Sequence, residues 1–128
     1  MLKIEQFVKD NTGKFLDDGN GKYKGECVSL VKRYQRYVKW PVTNGNAIDQ
    51  AKADKNYDFI PYKPFFVPRP SDIPVFRMGT YGHIGVVVSA NPLFMRVFNQ
   101  NYPKGNRTDP AQTQTFFYNK VVGFKRKK

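Results

Sequence analysis

The sequence predicts an α+β fold, with N-terminal helices packed on an antiparallel β-sheet. Three observations carry this. Helical spacing of apolar residues is confined to residues 2–55. Five prolines, Pro61, Pro64, Pro68, Pro70 and Pro74, then exclude helix. The remainder reads as short strands rich in valine and phenylalanine, separated by turn residues. Helices first and strands second is the α+β order; strict alternation would mean a parallel sheet.

Each element follows from local pattern. In residues 2–10, Ile4, Phe7 and Val8 take helical spacing, and Gly13 lies just beyond. Residues 17–22, Asp-Asp-Gly-Asn-Gly-Lys, are dense in turn formers and read as irregular backbone. Over residues 26–40, Cys27, Leu30, Val31, Tyr34 and Val38 form one apolar stripe, with Lys32, Arg33, Arg36 and Lys39 opposite. Pro41 is the expected stop. Asn46 is the expected N-cap of a short helix over 47–55. Strands are expected at 73–78, 84–89 and 93–99, with a last pair at 116–118 and 121–125. In 93–99, Met95, Val97 and Asn99 share one side, and Phe94, Arg96 and Phe98 the other.

Composition narrows the class. A chain of 128 residues without repeat or linker reads as one domain, 1–128. At 40% hydrophobic and 16% aromatic it has the material for a core, which excludes a disordered chain. No apolar run is long enough to span a membrane, and the mixed-charge N-terminus is not that of a signal peptide. One cysteine excludes an internal disulfide, and one cysteine with one histidine excludes the usual Cys/His zinc site. The net charge of +12 points to a polyanionic partner: nucleic acid, anionic lipid or an anionic wall polymer. The terminal Lys125-Arg126-Lys127-Lys128 run reads either as part of that surface or as a solvated, frayed end.

Two residues are equipped for nucleophilic chemistry. Cys27 falls in the first turn of the second helix, on the inner edge of its buried face. A helix start carries about half a positive charge and free N–H groups, which favour a thiolate and can hold an oxyanion. Gly25 allows a sharp approach to that helix. His83, the single histidine, opens the valine-rich strand and is the one available imidazole base. Such a base needs a third group to fix its tautomer. Asn99 and Asn101, on the same side of the neighbouring strand, both qualify, and spacing alone leaves the choice open.

These segments resemble one family. Gly25-Glu26-Cys27-Val28-Ser29-Leu30 resembles the nucleophile motif of CHAP domains, the cysteine- and histidine-dependent amidohydrolases/peptidases. Gly45-Asn46-Ala47, Ser71-Asp72-Ile73, Gly82-His83-Ile84-Gly85, Phe98-Asn99-Gln100-Asn101 and Val122-Gly123-Phe124 resemble its further landmarks, in order. Ser71 stands where the family usually has Gly, Asn99 where many members have Glu, and Glu26 where many have Gln. The resemblance implies a papain-like fold and hydrolysis of an amide bond in peptidoglycan, as in phage endolysins or virion-associated lysins. It implies Cys27 as nucleophile, His83 as base, Asn99 or Asn101 as its support, and Glu26 near the oxyanion.

Some members bind calcium just before the cysteine. The corresponding positions are Asp18, Asn20, the carbonyls of Lys22 and Lys24, and Ser29. Calcium takes six to eight oxygens, several of them charged. Here Asp18, with or without Asp17, supplies the charge, so an ordinary turn without metal is the alternative, and no cofactor is expected to be required. The aromatic stretch 57–76 is expected to line a substrate groove or to enter the core. Two further functional classes fit the composition: a basic nucleic-acid-binding module, against which stands the lack of a helix-turn-helix or aromatic RNA-binding motif, and an inactive CHAP-like structural protein, such as part of a phage particle.

Overall fold

A computed structural model describes residues 1–19 and 21–128. Two helices lead: α1, Lys3–Asn11, and α2, Cys27–Tyr37. Seven strands follow: β1 Tyr57–Pro61, β2 Ile73–Phe76, β3 His83–Ile84, β4 Val86–Ala90, β5 Phe94–Asn99, β6 Gln112–Phe117 and β7 Val121–Lys127. They form two antiparallel sheets, in the orders β1-β7-β2-β3 and β4-β5-β6. The architecture is the expected α+β, but divided into two sheets.

The division occurs at Gly85. A Cβ there would lie 2.6 Å from Val97 Cγ1 and 2.9 Å from the Phe98 carbonyl oxygen. With no side chain, β5 packs directly against the join, and the 83–90 stretch passes from one sheet into the other. Along the strands, side chains alternate between two cores. Val75, Ile84, Val86 and Phe98 pack under the helices with Ile4, Phe7, Leu30, Val31 and Tyr34. Phe76, Val87, Met95, Val97, Phe116 and Phe124 fill the opposite side, between the sheets. Both faces are therefore covered, which explains a strand read as continuously apolar. Phe7 meets Tyr34 and Phe98 edge-on at 5.1 and 5.9 Å, fastening α1 to α2 and β5.

Several boundaries differ from expectation. α2 ends at Tyr37, before Pro41, because Lys39 takes a left-handed φ of 62° and the Trp40 N–H turns back to the Gln35 carbonyl. The helix expected at 47–55 is a single 3-10 turn, Ile48–Gln50. Asn46 starts it with its backbone carbonyl, not its side chain, and the Gln50 side chain bonds Thr43 and Gly45. β1 has no counterpart in the sequence reading. Pro61 hid it, yet proline is acceptable at the end of an edge strand. The last two strands are not partners: β6 pairs with β5, while β7 lies between β1 and β2. The 3-10 turn Tyr118–Lys120 sends the chain from one sheet to the other.

The basic end is not frayed. Lys125 is 1% exposed, donates to the Lys52 carbonyl and lies 3.7 Å from Asp54. Arg126 holds Asp72 through two bonds, of 2.9 and 2.6 Å. No helix among the described residues is long and apolar enough to cross a membrane.

Ser71 explains one departure from the family pattern. Its φ is +77°, a left-handed backbone natural to Gly, and its hydroxyl forms a 2.6 Å bond with Tyr34 Oη. Ser71→Ala keeps the strain and loses the bond; Ser71→Gly loses the bond and relieves the strain. Urea unfolding should show Ser71→Ala the less stable of the two by about 1 kcal/mol.

Candidate active site

The site forms where the start of α2 crosses β3. Glu26 is the N-cap of α2, and Gly25, at φ +84°, makes the sharp approach expected of it. The N–H groups of Ser29 and Leu30 bond the Glu26 carbonyl. Those of Cys27 and Val28 are directed at the Cys27 sulfur, as is the N–H of Ile84. The nucleophile candidate thus lies against the residue that follows His83.

His83 opens β3 and is 5% exposed. Phe76, Tyr102 and Phe116 surround its ring, with centroids at 5.8, 5.3 and 6.2 Å. Its Nε2 lies 2.7 Å from Asn99 Oδ1. The hydrogens of Asn99 Nδ2 go to the Gln112 carbonyl and to Gln114 Oε1, at 3.2 and 2.8 Å. The amide can therefore offer only its oxygen to the imidazole. This places the ring proton on Nε2 and leaves Nδ1 as the basic nitrogen.

Of the two asparagines, Asn99 is the one that bonds His83. Asn101 takes a left-handed φ of 68°, and its Oδ1 accepts from the Arg107 N–H at 2.7 Å. It lines the cleft without reaching the histidine. Glu26 is held by Arg107 at 3.1 Å, and Arg107 also bonds the Lys22 carbonyl. Its carboxylate faces a guanidinium, which supports no oxyanion role for that side chain.

A cleft of about 360 Å³ opens over Cys27, lined by Tyr23, Glu26, Val28, Asn46, Ala47, Met78, Tyr81, Gly82 and Asn101. The stretch 57–76 is absent from this lining: Tyr57 and Phe76 are buried in the cores. Gly82 makes the far wall possible. Its φ is +76°, and a Cβ would lie 2.8 Å from the Ile48 nitrogen, whose N–H bonds the Tyr81 carbonyl. Sequence reasoning gave no role to Arg107, Tyr102, Gln112 or Gln114. The Gln-x-Gln alternation was the one available signal, since it puts both glutamines on one face of a strand.

The electrostatics reverse one expectation. The crowded setting pushes the Cys27 thiol up to about 11; the Ile84 N–H opposes this, Glu26 adds to it, and the Val28 and Cys27 N–H groups oppose it further. Burial also holds His83 below its usual 6.5, with the Asn99 bond opposing. Desolvation outweighs the helix start and disfavours both the thiolate and the imidazolium.

Among the described residues, several oxygens of the calcium expectation already have protein partners. Both Asp17 oxygens accept the Gly21 N–H, and Lys32 lies 3.5 Å from Asp18 Oδ2. Ser29 gives its hydroxyl to the Tyr23 carbonyl. Among the described residues, only Asp18 Oδ1 is buried without a partner. Among the described residues no three His, Cys, Asp or Glu groups converge; Asn20 lies outside them.

The fold is thus α+β, with a cysteine at the start of a helix that packs on the strand opened by a histidine, whose Nε2 rests on an asparagine. The CHAP domain family model matches residues 17–101, well over half of the chain, and the chain belongs to that family. Among solved structures, the wild-type endolysin LysIME-EF1 is similar, with a TM-score of 0.80 and 22% identity over 98% of this chain. The chain spans 64% of that endolysin's length, and at this identity the likeness is one of fold. No curated protein matches in sequence.

Two outcomes follow. Iodoacetamide should label Cys27 more slowly than free cysteine at pH 7, the rate still climbing above pH 9; a plateau below pH 7 would mean a preformed thiolate. His83 has a lowered folded pKa, so its contribution to stability is present above 6.5 and is lost as pH falls below that value. Denaturant titrations should show this loss, at most about 1.4 kcal/mol per pH unit, with a shallower slope in His83→Gln.

Proposed function

We propose that the protein is a peptidoglycan hydrolase that cleaves an amide bond of the bacterial cell wall by Cys/His nucleophilic catalysis. One observation carries the reading: His83 Nε2 lies 2.7 Å from Asn99 Oδ1, and Cys27, at its helix start, packs against the residue that follows His83. His83 Nδ1 takes the thiol proton as Cys27 Sγ attacks the carbonyl carbon. The backbone N–H groups at the start of α2 hold the oxyanion. The C–N bond breaks, and the amine leaves with the proton that His83 returns. Water, deprotonated by His83, then attacks the thioester, releasing a carboxylate and the thiol. Asn99 keeps the imidazole in the productive tautomer and steadies imidazolium by dipole, less than a carboxylate would.

The work is that of an endolysin or a virion-associated lysin, and the bond lies in the peptide stem or cross-bridge, or between sugar and stem. The +12 charge favours a wall that carries anionic polymers. No metal step is needed, because the nucleophile and base are both protein groups.

Clearing of purified walls tests the reading. Wild type should clear walls and expose new amino ends, identifying the bond. Cys27→Ala should be inactive while folded, and Asn99→Ala should lose on the order of 10²-fold in rate. EDTA should leave the rate unchanged. Clearing by Cys27→Ala would overturn the mechanism.

A further inference from the structure

Gln100 is wholly buried, yet its side chain is fully engaged. Its Oε1 accepts the Leu16 N–H at 2.8 Å. Its Nε2 donates to the Leu16 carbonyl at 3.0 Å and to the Glu26 carbonyl at 2.7 Å. The amide thus copies a strand pairing with Leu16 and reaches the residue just before Cys27. The Leu16 carbonyl also receives the Gly25 N–H at 2.9 Å. Both ends of the 17–25 loop are therefore gathered at one side chain.

The residue before Gln100 is Asn99. Consecutive side chains at the end of β5 leave the backbone on opposite sides. Asn99 reaches His83 on one side, and Gln100 reaches the start of α2 on the other. One peptide unit therefore carries the holder of the base and the holder of the nucleophile's turn. Glu26 makes no side-chain cap bond, its carboxylate being held by Arg107 instead.

We propose that Gln100 is a positioning residue that sets where the Cys27 turn sits relative to the His83–Asn99 pair. This rests on the reading of Cys27 as nucleophile and His83 as base. Misplacing a reacting group by about 1 Å can cost on the order of 10²-fold in rate. Gln100 meets the cleft at the Glu26 backbone carbonyl and bonds none of the side chains described as lining it.

The test uses the full chain with Gln100→Met, which keeps length and loses all three bonds. Gln100→Glu is the second variant; it keeps the Leu16 N–H bond but turns a carboxylate toward two carbonyl oxygens. Steady-state kinetics on soluble wall fragments should show kcat down by about 10²-fold and KM within about 3-fold of wild type. The nitrogen spectrum of the single imidazole should keep its proton on Nε2, which separates this loss from that of Asn99. A folded variant with kcat within 3-fold of wild type would overturn the proposal, as would a loss confined to KM. Unfolding of both variants would make Gln100 a folding residue and overturn it too. Activity in Cys27→Ala would instead strike the underlying mechanism, whatever the Gln100 variants do.

Discussion

The site depends on a single crossing, where the first turn of α2 meets β3 and the sulfur of Cys27 lies against the Ile84 N–H. A one-residue shift of β3 in register would turn His83 to the other face and Ile84 into its place. Register is defended on both sides. Val75 pairs with Ile84 and Phe76 with His83, and each of these side chains belongs to a definite core or ring contact. The hydrophobic alternation that builds the two cores is thus the device that aims the imidazole. Packing and chemistry are here one constraint.

The charge distribution divides in a similar way. The protein is strongly basic overall, yet desolvation disfavours charge on both members of the pair at its site. Where cations enter the interior they are matched: Lys125 with Asp54, Arg126 with Asp72, Lys32 with Asp18. These three acids are among the 10 in the chain; Asp18 and Asp72 are buried, and Asp54 is exposed. The excess positive charge is left to the surface.

The helices and the core strands were legible because their signals are local: a stripe at helical spacing around Leu30 and Tyr34, a run of valines around Val86. The positions of Cys27 and His83 within their elements were legible for the same reason. What escaped depended on contacts between distant segments. β1 is a strand because β7 offers it a partner, which no five-residue window records. The separation of β6 from β7 turns on a three-residue turn. The preference for Asn99 over Asn101 required Gln112 and Gln114 to claim one end of an amide, and a positive φ to swing Asn101 away. The upward push on the Cys27 thiol was not legible because the helix start is a local property, whereas desolvation comes from everything packed around the sulfur.

The order of strands in the four-stranded sheet bears on how the molecule comes into being. β7 is the last strand in sequence and lies second in the sheet, hydrogen-bonded on both edges. Until residues 121–127 have left the ribosome, β1 has no neighbour and β2 has only the two-residue β3 beside it. A nascent chain therefore holds the histidine on an unfinished platform, exposed to competing pairings while synthesis continues. The four-stranded sheet that carries β3 closes only when β7 joins it.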